Sequence, residues 1–307
     1  MFFIQRLRSI GYRSSVALLL LVCATAARAE SDLEKALRQL NSDAVKGYIQ
    51  PIADFFGANT NAGFSHSVRI PEDGFHFRFD IIAVGSVVGD EQKTYTLKAP
   101  AGYSPSEFKT ATVFGGKGDS IAGPPGSGLM YKGSDGVFNT TLFPFVTPQI
   151  TIGHIYGTEA MIRFVPIPEL SDGKIPKITL FGAGIRHSLS QYIEDSPLDM
   201  AIGFQFNSFT FGDLMSVKGY GIGVQAGKTL AILELYGGVQ YEKSTMNLSY
   251  KSTDPTITTP LVDIDLEGAN TFRGTLGASL HLSVLKLYAD ANFGTVTNFT
   301  AGIGFGF

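Results

Sequence analysis

The run Arg186-His187-Ser188-Leu189-Ser190 holds the residue types that hydrolytic chemistry uses, an imidazole to take a proton beside hydroxyls able to attack. If the run is extended, period two places His187 on one face with Phe181, Ala183, Ile185 and Leu189, and Arg186, Ser188 and Ser190 on the other. Neighbours on opposite faces cannot hydrogen bond directly. Catalysis there would need a bulge or a serine from elsewhere in the chain, and the alternative is an interfacial histidine near a strand end. Gly227-Lys228-Thr229 looks like the end of a phosphate-binding loop, but the first glycine of such a loop would fall at 222, which is Ile222. The five histidines, His66, His76, His154, His187 and His281, show no metal-ligand spacing, and the single cysteine, Cys23, cannot complete a site. No enzyme activity, metal or cofactor is expected.

The remaining charged residues make sense only through the elements that carry them. From Ala62 onward the chain alternates apolar and polar residues between turn residues, and the best strands are 76–88, 147–155, 157–166, 177–189, 199–210, 216–228, 230–242, 271–283, 285–294 and 297–307. A weaker one lies at 62–70. The last is the most telling: Phe299, Ala301, Ile303, Phe305 and Phe307 alternate with Thr300, Gly302, Gly304 and Gly306. Such a strand suits a wall with lipid on one side and a lumen on the other, and it resembles the C-terminal signature of bacterial outer-membrane β-barrels. That resemblance implies that Phe299, Ile303, Phe305 and Phe307 form the signal read by the barrel assembly machinery. The expected fold is therefore all-β, a transmembrane antiparallel barrel.

An even strand number calls for one more strand, at Thr94 to Lys98 or Lys109 to Phe114, or for the loss of 62–70 from the wall. Twelve strands are expected, with ten as the alternative. Turns at 228–229 and 283–284 become tight and periplasmic, and 115–146, 167–176 and 243–269 become long extracellular excursions. The glycine- and proline-rich 115–146 stretch either folds into the lumen as a constriction or lies on the surface.

Alternation then sorts side chains. Arg78, Asp80, Glu159, Arg163, Arg186, Gln205, Glu234, Tyr236, Arg273, His281, Lys286 and Asp290 fall on the lumen face, because a charge facing lipid near the midplane costs about 2–4 kcal/mol. Charges of both signs would either close the lumen as a salt-bridged core or line a polar path for solute.

At the N-terminus, Arg6, Arg8 and Arg13 precede the apolar run from Val16 to Cys23 and the small-x-small Ala27-Arg28-Ala29. This is the pattern of a secretory signal over 1–29, with the mature chain expected to begin at Glu30. A lipoprotein anchored through Cys23 is the competing reading, for which Val22 is poorly suited. Cleavage removes four arginines and no acid, moving the formal net charge from −3 to −7, which argues against nucleic acid as a partner. Residues 30–58 form an N-terminal region before a barrel over 59–307. Within it 31–49 reads as a helix, with Leu33, Ala36, Leu37, Leu40, Ala44 and Tyr48 on one face, ended by Gly47 and Pro51. It would either plug the periplasmic mouth or merely tether the chain.

At Tyr48-Ile49-Gln50-Pro51, Thr112-Val113-Phe114-Gly115 and Gly184–Tyr192 the chain resembles an uncharacterised family of bacterial outer-membrane barrels. The resemblance implies location and fold and supplies no catalytic residue. A looser likeness is to barrels that import fatty acids and other hydrophobic solutes behind an N-terminal plug. Together these imply a passive channel for small or amphipathic solutes. The alternatives are a non-conducting structural or surface-binding barrel and a lipid-modifying enzyme.

Overall fold

The computed structural model describes residues 42–170, 176–251 and 260–307. The expected signal sequence and residues 31–41 of the expected helix lie outside them. The first helix, α1, spans Ser42–Thr60 and runs on through Pro51, where the sequence suggested an end. A proline inside a helix costs about 3 kcal/mol, which burial of Ile49, Ile52, Ala53, Phe55 and Ala58 around it offsets. Gly47 lies under the Tyr95 ring, where a Cβ would come within 2.4 Å of a ring carbon.

Strands then follow: β1 (His76–Val87), β2 (Thr94–Lys98), β3 (Glu107–Ala111), β4 (Ser120–Ala122), β5 (Met130–Lys132), β6 (Leu142–Ile155), β7 (Thr158–Ile167) and β8 (Ile178–Ser188). After them come β9 (Asp199–Phe211), β10 (Met215–Leu230), β11 (Leu233–Lys251), β12 (Pro260–Glu267), β13 (Phe272–Leu282), β14 (Leu285–Phe293) and β15 (Asn298–Gly306). A single turn of helix, α2 (Asp90–Lys93), precedes β2.

Ten strands close the wall in the order β1-β6-β7-β8-β9-β10-β11-β13-β14-β15, each antiparallel to its neighbours. The last strand seals the ring against the first, from Arg78 opposite Gly306 to Ser86 opposite Asn298. The count is thus the alternative ten. The candidate strands at 94–98 and 109–114 do form, as β2 and β3, but they pair with each other outside the wall. β12 only extends the far end of β11.

The outer face carries exposed Phe79, Ile150, Ile162, Phe204, Ile222 and Leu276, an apolar belt on a wall with no free edge, which is the form a strand-built membrane span must take. Exposed Phe75, Tyr156, Tyr192 and Phe307 gather at one end, as an interfacial aromatic girdle does. This turn end holds the tight connections, including Ala231-Ile232 and Ser283-Val284, whose first residues take φ of 56° and 60°. The first of these turns is displaced from the expected 228–229. Pairing of β10 with β11 continues to Leu230 opposite Leu233, so Gly227-Lys228-Thr229 lies within the strand.

The opposite, loop end carries the excursions and α1. There Val45, Tyr48, Ile52 and Phe55 pack with Val113 and Phe114 and with Met246, Leu248, Ile264 and Leu266, rising from β11 and β12. The Phe55 ring meets Phe114 edge-on at 5.0 Å, and Phe56 stacks on Phe209 at 4.9 Å. The helix therefore caps the loop end and not the turn end. There its apolar face meets the aromatic rings of Phe114, Phe143 and Phe209. Residues 115–141 form a largely exposed hairpin, β4–β5, over this cap.

Candidate functional site

The wall encloses a lumen, and its occupant is the chain's own residues 61–70. They alternate like a strand, yet among the described residues they join no strand ladder. They descend from the end of α1 toward the turn end, held by wall side chains reaching for their backbone. Arg163 Nη1 and Nη2 donate to the carbonyls of Thr60 (3.1 Å) and Ala62 (2.9 Å). Gln205 donates to Asn61 O at 2.6 Å and Gln149 to Phe64 O at 3.1 Å. Ser279 donates to His66 O, and Arg186 to Ser67 O. In the other sense, the Val68 N–H donates to Glu234 Oε1 at 2.6 Å. One turn above, Arg273 Nη2 and Asn298 Nδ2 donate to Ala58 O at 2.6 and 3.3 Å. Arginines from β7 and β13 thus sit at the C-terminal carbonyls of α1, where the helix dipole favours positive charge.

Arg78, Asp80, Glu159, Arg163, Arg186, Gln205, Glu234, Tyr236, Arg273, Lys286 and Asp290 are buried, and His281 is half-exposed at the turn end. Opposite charges meet: Arg78 with Asp80 at 2.9 Å, Arg186 with Glu159, and Arg273 with Glu242 at 2.9 Å, while His281 Nε2 lies 2.9 Å from Glu234 Oε2. The Tyr236 hydroxyl donates to Asp290 at 3.1 Å. Lys286 stands opposite His281 in the β13–β14 register. Arg163 is fully buried with the plug carbonyls, Gln149 Oε1 at 3.0 Å and the Phe64 ring at 3.7 Å as its neighbours.

Gln149, His66 and the Arg273 partner Glu242 are among the lumen contacts that escaped sequence reasoning. Gln149 alternates with Thr147 and Thr151 on β6, so period two contained the signal. His66 is buried, 3.3 Å from Asp80 and stacked on Tyr288 with centroids 3.5 Å apart, and no pattern in the sequence marks it.

Glycines make the room. A Cβ on Gly184 would come within 3.1 Å of Phe64, on Gly219 within 2.9 Å of Asn61, and on Gly302 within 2.2 Å of Tyr288. A cavity of about 50 Å³ remains beside Phe64, Ser65, Gln205 and Gln240, enough for a few waters.

At the loop end, burial pushes the Asp54 carboxyl up, opposed by hydrogen bonds from Gln50 and the Ala269 N–H. Asp135 is held below the usual range by the Gly118 N–H and by Lys132. At the turn end, His187 Nδ1 meets Thr158 Oγ1 at 2.8 Å, and Nε2 meets Tyr192 OH and Gln191 Nε2, each at 2.8 Å. Ser188 and Ser190 instead bond to each other at 3.3 Å. Phe299, Phe305 and Phe307 point outward and exposed, while Ile303 is half-buried between Ile81 and Leu287 in the seam.

Wall, belt and threaded lumen define a transmembrane antiparallel β-barrel closed by its own N-terminal chain. The chain belongs to the family of unknown function DUF6588, whose profile matches residues 11–307. No curated protein matches it. Among solved structures it is similar to a loop-deletion mutant of OmpT, an outer membrane protein of Vibrio cholerae, at 10% identity and a TM-score of 0.29, covering 76% of this chain and 98% of that one. It is also similar to the Pseudomonas putida toluene transporter TodX, at 12% identity and a TM-score of 0.27, covering 80% and 74%. A Rhodopseudomonas blastica porin mutant gives 8% identity, a TM-score of 0.22 and coverage of 76% and 100%.

Proposed function

We propose that this protein is an outer-membrane barrel for passive passage of small or amphipathic solutes, held shut at rest by its N-terminal chain. The observation that carries the reading is the manner in which 61–70 crosses the lumen. A segment bound by side chains alone can leave without breaking a strand ladder, and the polar wall behind it is suited to water. In this reading the barrel assembly machinery inserts the protein, lipid surrounds the belt, and His187 is a turn-end structural residue with no reaction assigned to it. The buried ion pairs Arg78–Asp80 and Arg273–Glu242 favour a second reading, a non-conducting barrel that serves structurally or presents its loop end as a binding surface.

Conductance in a planar bilayer separates the two, with heat-modifiable gel migration as the control for folding. The full chain is expected to be silent, and a variant lacking 30–70 to give steady discrete steps. A folded deletion variant that stays silent would overturn the channel reading, and an open full-length barrel would overturn the plug.

A further inference from the structure

We infer that the lumen is a binding channel for an extended polypeptide, and that residues 60–68 are the ligand it holds at rest. The inference rests on the proposed displacement of that segment and names what could take its place. The wall addresses the backbone: Arg163, Gln205, Gln149, Ser279 and Arg186 each donate to a plug carbonyl, and Glu234 accepts the Val68 N–H. These side chains come from strands around the ring, so the occupant need not match the register of any strand. Apolar packing involves Ala62 against Ile82, Val84 and Tyr288, and Val68 and Ile70 against Ala201 and Tyr236. Beside these contacts the wall opposes the occupant with glycines, at 182, 184, 219 and 227, which admit a chain of about one backbone's width.

Side-chain demands are light and define the ligand class. Gly63, with φ +68°, passes where a Cβ would lie 2.9 Å from both Ile82 and Thr300. Ser65 and Ser67 give hydroxyls to Gln225 and Glu234, Phe64 fits beneath Arg163, and His66 stacks on Tyr288 beside Asp80. The channel therefore suits an extended peptide of mostly small residues with two aromatic rings at alternate positions.

The test uses the full chain carrying a protease site between Asp73 and Gly74, in the exposed bend before β1. The folded barrel is cut in detergent, and the N-terminal fragment is stripped with mild urea. A fluorescent synthetic peptide spanning Asn61–Ile70 is then titrated by polarisation. Saturable binding is expected, weakened about tenfold or more when the Val68 amide of the peptide is N-methylated, since that removes the bond to Glu234 without altering the barrel. A folded, stripped barrel that does not bind the peptide overturns the inference, as does a barrel that unfolds when stripped, which would make the segment core and not ligand. Conductance of the stripped barrel distinguishes this result from the channel reading. Current without peptide binding keeps the channel and sinks the binding site, whereas binding to a silent barrel does the reverse.

Discussion

Arg163→Met is the most direct perturbation of the plug. The substitution keeps an unbranched apolar stem but removes the guanidinium, and with it the stacking over Phe64 and the donors to Thr60 O, Ala62 O and Gln149 Oε1. Each buried acceptor left without a partner costs about 1–3 kcal/mol. Gln149 retains its own bond to Phe64 O and can turn, so the two backbone carbonyls dominate. Removing a fully buried guanidinium also removes its desolvation cost, which offsets part of the loss. A net of about 3 kcal/mol against the seated plug corresponds to roughly a hundredfold shift in its opening equilibrium. Hydrogen–deuterium exchange read by mass spectrometry reports that equilibrium directly. Amides of 61–68 should lose about two decades of protection, while β13 and β14 keep theirs. Unchanged protection at 61–68 in a folded variant would refute the assignment of Arg163 as the latch.

Gly63→Ala combines an unfavourable φ of +68° with contacts of 2.9 Å to Ile82 and Thr300; it should loosen the plug by about 1–3 kcal/mol in the same exchange assay, with wild-type protection as the contrary result. Asp54 has its folded-state pKa raised above 3.8, so its contribution to stability is fully present below that value and lost as pH rises through the raised one. Asp54→Asn should therefore melt at a higher temperature than wild type at pH 7 and differ less between pH 4 and 7; an unaltered pH dependence of Tm would count against this. His187→Ala and wild type should show the same background in a phospholipid hydrolysis assay, and turnover that the substitution abolishes would install His187 as catalytic.

Strands were legible because a wall with lipid on one side imposes period two on every segment, and all ten wall strands follow from it. The same rule placed Arg163, Glu234 and Arg273 on the inner face. It could not distinguish 62–70, where Ala62, Phe64, His66, Val68 and Ile70 alternate as a strand would but are all buried in the lumen. Alternation records two unlike environments, and a thread pressed against a curved inner wall meets two as surely as a wall strand does. Pro51 misled for a different reason. Local rules end a helix there, while the aromatic cluster around Phe55 and Phe114 supplies more than the proline removes. The partners within the lumen, such as His66 against Asp80 and Tyr288, join distant strands and leave no trace in local spacing.

The seam between β1 and β15 joins the two ends of the barrel, so the ring cannot close until the whole wall has been made. By then 61–70 must already lie inside, with α1 beyond the far rim. Closure is thus the step that turns a chain lying across an open sheet into a thread through a ring. Once the ring is sealed, the thread can move only along its axis, tethered at its lower end by the bend before His76. A bulky folded domain joined ahead of Ser42 would act as a stopper, barring withdrawal toward the turn end, the one direction in which a thread anchored to β1 can leave the lumen.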